Sequence, residues 1–359
     1  MRVACDVVGQ ASFGHDFKSV DFSDARVIKV LPKGLEECQK RMTNPIQRLL
    51  TFTKAAKEAD ACMDEYNSII RGVVMEMKAR GPPKADDMSV GAQLLRAKHP
   101  TTGHGLTDRQ LQAEVGTFIM GGFETTAHTL SFTLFCIATS PGVQEKIADE
   151  LRDMGLLNAD GSLGRPIQAE DLNLLSYLSN VIKESMRMFP VVAGFPRRTD
   201  KVTQIGNYKV PKNVFVYILF HHLHNSPDLW DNASDFDPMR WEGINDPTYV
   251  QDDYMHAHHA PFGGFENFVG KTPKKGVEAR PKKYFPFSAG PRSCIGQGMA
   301  MMVLKTVIAT LCARFTMRLA DEMGGPEGVA ASEVMALTLH THHGILMHCT
   351  ERAPAAVEA

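Results

Sequence analysis

Phe287-Ser-Ala-Gly290-Pro-Arg292-Ser-Cys294-Ile-Gly296 decides the reading of this chain. It runs directly into an apolar stretch, about Gln297 to Arg314, whose periodicity predicts a helix. A cysteine at a helix N-terminus meets free backbone N–H groups and the positive end of the helix dipole, and both favour the thiolate. Gly290 and Gly296 permit tight turns that aim backbone amides at the sulfur. The other cysteines, Cys5, Cys38, Cys62, Cys136, Cys312 and Cys349, are scattered and form no C-x-x-C pair. An odd total of seven makes neither a disulfide framework nor a zinc ribbon. Those six read as small, buried or partly buried residues in a reducing compartment.

Working outward, Thr107-Asp-Arg-Gln110 opens a second helix with a capping box. Leu111, Val115, Phe118, Ile119, Gly122, Leu130 and Leu134 fall on related faces, so this helix runs long and mostly apolar until Pro141. Gly121 and Gly122 sit at its centre. Each mid-helix glycine costs about 1 kcal/mol against alanine, so the pair predicts a close approach to the backbone. Glu124, Thr125 and Thr126 follow, by themselves an ordinary polar strip. In Lys183-Glu184-Ser-Met-Arg187 the acid and the arginine share a helix face, by itself a pattern of weak surface ion pairs.

Further helices are expected within Pro45–Arg80, ended by Gly81-Pro82-Pro83, and over Ser89–Ala97, Val143–Met154, Glu170–Leu175 and Tyr177–Phe189. Arg2 to Phe17 reads as the middle of a helix and its exit. Alternating Val202, Ile205, Tyr208, Val210, Val214, Val216 and Ile218 predict a β-hairpin region over Lys201–Leu219. Short strands are expected after Phe315. Residues 243–283, rich in glycine and proline and without period, read as a loop insertion, and residues 352–359 as a flexible tail. Helices first and strands later favour one mainly α (α+β) domain over 1–359. Its 359 residues, 43% apolar and 22% charged, suffice for a substantial core, and a net charge of −2 gives no global attraction for nucleic acid. There is no signal peptide and no uncharged run of bilayer length, which reads as a soluble, intracellular chain.

Phe287, Gly290, Arg292, Cys294 and Gly296, in their spacing, resemble the haem-ligand signature of the cytochrome P-450 family. The resemblance implies that the Cys294 thiolate ligates haem iron and pushes electron density toward O–O cleavage. It implies that Arg292 pairs with a haem propionate and that Phe287 keeps water from the sulfur. Three further segments match the family in order. Gly121-Gly122-Phe-Glu124-Thr125-Thr126 resembles its oxygen-activating segment. There the glycines make room over the haem, and a break in the helix ladder admits dioxygen and water. Thr125 would donate a hydrogen bond to iron-bound oxygen, and Glu124 would link it to solvent. Glu184 and Arg187 are implied to join Arg240, from Phe236-Asp-Pro-Met-Arg240-Trp241, in a buried structural charge network. In Pro190–Arg198, Arg197 falls where many members place a second propionate ligand, with Arg198 the alternative one residue on. Val191, Val192 and Phe195 would line the substrate side.

The implied fold is that of the family without its N-terminal helices and first strands, so the chain is expected to be a fragment or a truncated form. Members are often anchored to endoplasmic reticulum or plastid membranes through that upstream segment. In one fatty-acid-hydroxylating branch an acid at the place of Gly121 esterifies the haem. Glycine cannot, so haem b is expected to be non-covalent apart from the Cys294 thiolate. The implied activity is monooxygenation with dioxygen as co-substrate: one atom enters a small apolar substrate and the other becomes water. Electrons come from an NADPH-linked flavoprotein reductase or a ferredoxin. Two rivals stand beside it: a relative that rearranges peroxides, against which Thr125 argues, and an inactive haem-protein fragment. The substrate is not fixed by such a resemblance. His256, His258 and His259, and His340, His342 and His343, lack ligand spacing and read as solvated. Lys271, Lys274, Lys275, Arg280, Lys282 and Lys283 read equally as a solvated loop or as a docking patch for an acidic electron donor.

Overall fold

Capping chemistry sets several helix boundaries in the computed structural model, which describes residues 1–21, 26–44, 46, 51–242, 283–335 and 337–352. Helix α1 (Arg2–Phe13) stops at Gly14, whose φ of 61° is a left-handed C-cap. Helix α2 (Arg26–Thr43) follows, and then α3 (Lys54–Ala79), which begins where the Thr53 side chain accepts the Ala56 N–H at 3.2 Å. The helical reading from Pro45 is thus moved downstream. Ser89 caps α4 (Val90–Arg96) in the same way. Before α5 (Asp108–Thr139), the Thr107 N–H donates to Gln110 Oε1 at 2.9 Å and the Gln110 N–H to Thr107 Oγ1 at 3.3 Å, the expected reciprocal box.

Helices α6 (Val143–Asp153) and α7 (Ser176–Met188) come next. The first turn of α7 is capped from outside: Glu150 accepts the Tyr177 and Leu178 N–H groups at 2.6 and 3.0 Å. Between them the expected helix over Glu170–Leu175 is a single 3-10 turn, Asp171–Asn173. Asp171 there accepts both Arg165 Nη atoms, at 2.6 and 2.7 Å, and the Gln168 N–H at 2.7 Å. Those bonds, Arg165 first, hold its carboxyl down at about 2. They commit the segment to a turn.

Strands β1 (Gly194–Arg198), β2 (Thr203–Ile205), β3 (Tyr208–Val210) and β4 (Phe215–Leu219) lead to the short helix α8 (Phe220–Asn225). The hairpin region divides: β2 pairs with β3, while β4 pairs antiparallel with β1, Gly194 opposite Leu219 and Arg198 opposite Phe215. A 3-10 turn at Pro238–Trp241 follows. Helix α9 (Gln297–Arg314) has the expected bounds. Strand β5 (Phe315–Leu319), helix α10 (Gly325–Ala331) and strands β6 (Glu333–Met335), β7 (Leu339–Thr341) and β8 (Met347–Glu351) complete the order, with β5 on β8 and β6 on β7. The described residues group into two compact units, Met1–Ser131 with Ala320–Leu346 and Phe132–Leu319 with Met347–Ala359. No helix among them is long and apolar enough to cross a membrane. Most of the loop insertion, the tail from 353, His256, His258, His259, Lys271, Lys274, Lys275, Arg280 and Lys282 lie outside the described residues.

In the first unit the glycine pair of α5 divides its work. A Cβ on Gly122 would meet the buried Val8 side chain of α1 at 2.9 Å, the close approach expected, whereas a Cβ on Gly121 would meet nothing within 4 Å.

In the second unit, Glu184 and Arg187 of α7 are both fully buried. Arg187 Nε and Nη2 donate to the two Glu184 oxygens at 3.0 and 2.9 Å. Arg240 Nε, the Asp237 N–H and Trp241 Nε1 donate to the same carboxylate at 3.2, 3.1 and 2.9 Å. Arg187 also donates to the carbonyls of His224 and Asp235, and Arg240 to those of Asp231 and Asn232. The network is therefore closed on both the anionic and the cationic side.

Two predictions follow from this packing. Glu184→Gln leaves a fully buried guanidinium without its anion and should cost about 3–5 kcal/mol, read as a lower denaturant midpoint. Gly121→Ala should raise stability by about 1 kcal/mol from helix propensity alone. Gly122→Ala should lower it, because overpacking against a fixed valine costs about 1–3 kcal/mol; equal shifts at the two positions would contradict the close approach.

Candidate functional site

The signature loop owes its shape to backbone that few residues adopt. Ser288 and Gly290 have φ of 61° and 74°, and Gly290–Arg292 forms a 3-10 turn. The Cys294 N–H donates to the Phe287 carbonyl at 2.9 Å, and the Ser293 N–H to that of Gly290 at 3.0 Å. Gly296 is the N-cap of α9, so the cysteine stands just outside that helix, with its side chain exposed. Phe287 is half-buried and Arg292 exposed.

The electrostatics of the sulfur differ from expectation. The surrounding protein pushes the Cys294 thiol above its ordinary pKa, and the Gly296 amide only partly opposes this. Although the residue is exposed, the protein packed around it desolvates the thiol more than one backbone donor at the helix start compensates, so the protein alone favours the thiol. A bound metal ion deprotonates a coordinating thiol outright.

Arg197 and Arg198, adjacent on β1, are distinguished by their partners. Arg198 Nη2 donates to Asn213 Oδ1 at 3.0 Å. Arg197 lies over the Phe195 ring at 4.7 Å and donates to the Pro196 carbonyl at 3.2 Å. Neither Arg197 nor Arg292 has an acidic partner among the described residues. Of the residues read as substrate-lining, Val191 is buried, Val192 half-buried and Phe195 exposed.

A porphyrin fits this donor set. An exposed sulfur is a suitable soft ligand for iron. Ile295 beside it is 73% exposed, an apolar side chain of the kind a macrocycle would cover. The space that a Cβ would take at Gly290 and Gly298 is open to 4 Å.

The segment around Thr125, in the first unit, is an unbroken α-helix through Gly121–Thr126, so the expected break in the ladder is not present. Thr125 Oγ1 donates back to the Gly121 carbonyl at 2.7 Å, which satisfies it inside the helix. Glu124 is 7% exposed rather than open to solvent. It accepts the Thr338 hydroxyl at 3.1 Å, and His128 Nε2 lies 3.8 Å away. His128 stacks on His340, ring centroids 5.1 Å apart.

The structure thus brings Glu184, Arg187 and Arg240 together and arranges Phe287, Gly290, Arg292, Cys294 and Gly296 in one loop. Sequence reasoning missed the hydrogen bonds of Asp237, Trp241 and Thr338 and the place of His128 beside Glu124. The tryptophan alone left a signal, as a large residue one place after Arg240. Lys283, read as part of a basic run, turns inward: its Nζ lies 4.1 Å over the Trp230 ring and donates to the Leu229 carbonyl. Among the described residues no group of three or more His, Cys, Asp or Glu is arranged to hold a metal ion. His340, expected to be solvated, is half-buried against His128.

Known proteins resemble this chain over 71% to 98% of its length. It is 28% identical to cytochrome P450 4V2 of Mus musculus over 87% of this chain and 56% of the relative. It is 30% identical to cyclooctat-9-en-7-ol 5-monooxygenase of Streptomyces melanosporofaciens over 71% of this chain and 48% of the relative. It is 24% identical to protein LUTEIN DEFICIENT 5, chloroplastic, of Arabidopsis thaliana over 98% and 54%. The chain spans about half the length of these curated relatives. The crystal structure of the cytochrome P450DA heme domain superposes with a TM-score of 0.73 at 21% identity, covering 98% of this chain and 67% of that one, which shows a shared fold. The family model for cytochrome P450 matches residues 1–341. Signature loop, fold and family match coincide, and the chain belongs to the cytochrome P450 family.

Proposed function

We propose that the chain is the haem-binding part of a haem-thiolate monooxygenase with Cys294 as iron ligand. The exposed thiol carries the reading: it stands at the head of α9 in a loop whose five signature residues are all present. When bound, the haem supplies the activation of dioxygen, one atom of which enters an apolar substrate while the other leaves as water.

The chain's own residues do the rest. Cys294 Sγ gives up its proton and holds the metal. Arg292 and Arg197 hold the propionates, for which each guanidinium offers a planar pair of donors. Arg197 is preferred to Arg198, whose side chain is engaged by Asn213. Phe287 covers the sulfur against water. Thr125 Oγ1, once released from the Gly121 carbonyl, would be free to donate a hydrogen bond, and Glu124 would be the group that holds a proton for it. Glu184, Arg187 and Arg240 keep the loop's surroundings rigid. A bound haem would draw its electrons from a separate flavoprotein reductase or ferredoxin, and the substrate would be small and apolar. The presence of Thr125 weighs against a peroxide-rearranging activity.

The ligand assignment is tested by the carbon monoxide difference spectrum of the reduced, haem-loaded chain. The thiolate-shifted Soret band should appear and Cys294→Ala should abolish it; a persisting band would remove Cys294 from the iron. Thr125→Ala should leave that band unchanged. It should lower product formed per dioxygen consumed by about 10² or more, the scale of a lost proton-transfer group, with peroxide released instead.

A further inference from the structure

A histidine outside the signature connects the buried charge network to the sulfur-bearing loop. His224, on α8, is fully buried. Its Nε2 accepts the Phe285 N–H at 2.8 Å. Phe285 stands at the start of the loop, and its carbonyl accepts the Ser288 N–H at 3.1 Å. Two residues on, the Phe287 carbonyl accepts the Cys294 N–H at 2.9 Å. On the other side, the His224 carbonyl accepts Arg187 Nη1 at 3.0 Å, and Arg187 is held by Glu184. A short run of bonds thus leads from the Glu184 carboxylate to the backbone of Cys294.

The loop needs such an anchor. Ser288 lies at a φ of 61°, a conformation that a residue with a Cβ does not hold by local preference. The ring of His224 is fully buried, with the Tyr284 and Phe220 rings at centroid distances of 5.2 and 6.3 Å. It can accept at Nε2 only while neutral, with its proton on Nδ1. Burial, and then Arg187 and His221, push its pKa down to about 4 against the opposing Met186 backbone, so the acceptor is available throughout the neutral range.

We propose that His224 is the positioning residue for the iron ligand: it holds the Phe285 N–H and thereby fixes the loop that presents the Cys294 sulfur. What the sulfur meets rests on the haem-thiolate reading above; the anchoring itself rests on the bonds within the chain.

The test compares His224→Leu, which removes the acceptor, with His224→Gln, whose amide oxygen can stand near the place of Nε2. Two signals are read on the full chain: hydrogen exchange at the Phe285 and Cys294 amides, and the thiolate-shifted Soret band of the reduced carbon monoxide complex. With leucine, both amides should exchange at least tenfold faster and the band should fade toward that of a haem without a thiolate ligand. With glutamine, both signals should return most of the way. A folded leucine variant with wild-type exchange and a wild-type band would overturn the proposal. If leucine prevents folding, the glutamine variant decides alone: protection kept supports the role, and protection lost overturns it. If the wild-type chain gives no thiolate band, the haem-thiolate reading fails instead. The exchange data, which need no haem, then still decide whether His224 anchors the loop.

Discussion

The Glu184 carboxylate is the constraint around which the second unit is organised. A carboxylate taken out of water loses several kcal/mol of hydration and must recover it from fixed donors. Here five bonds do so, two from Arg187 on its own helix and three from Asp237, Arg240 and Trp241 some fifty residues on. No local piece of chain satisfies it. The carboxylate is at rest only when α7 and the turn at Pro238–Trp241 have both reached their final places. An apolar triad of similar volume could be as stable, but it would tolerate several arrangements. Trp230 adds to the definition by lying 5.5 Å from the Arg187 guanidinium and 5.9 Å from that of Arg240.

Such rigidity matters because the sulfur gains little from electrostatics within the protein. Its thiol is pushed up, not down, so a metal ion bound there would have to displace a proton. Affinity for metal then depends on pH and on how little the loop must move to accept it. The helix N-terminus serves here as a geometric platform more than as a charge. It ends the positive-φ segment and sets the direction in which Cys294 leaves the backbone, while the buried network limits how far that segment can stray.

Features with a local cause were legible in the sequence. The capping box at Thr107 and Gln110, the bounds of α9 and the turn at Gly290 all follow from residues within a few positions of one another. Helix α2 was not singled out because Pro32 and Gly34 lie inside it, and α10 because three of its seven residues are Gly or Pro. The partner of β4 was missed for a different reason. Pro196 makes β1 look unlike a strand, and antiparallel pairing of β1 with β4 skips the two strands between them. At the site, the signature named its own loop and the charge network named its three ions. It could not name donors that arrive from elsewhere: the Thr338 hydroxyl reaches Glu124 across 214 positions, and no periodicity encodes that.

The resting state of α5 bears on how its polar pair would work. The Thr125 hydroxyl is bonded to the Gly121 carbonyl within an intact helix. That carbonyl also lies in the helical ladder, so release of the hydroxyl strands no buried acceptor and costs about the net worth of one hydrogen bond, ~1 kcal/mol. A change of χ1 suffices, and no ladder break is needed to free it. Glu124 is under a stronger constraint. It is buried, its hydroxyl donor comes from Thr338, and His128 stands nearest on the same helix. Its nearest described polar neighbours are thus the segment between β6 and β7 and the His128 ring, not solvent along α5. The alcohol is the easily released member of the pair, and the acid is the more firmly held one.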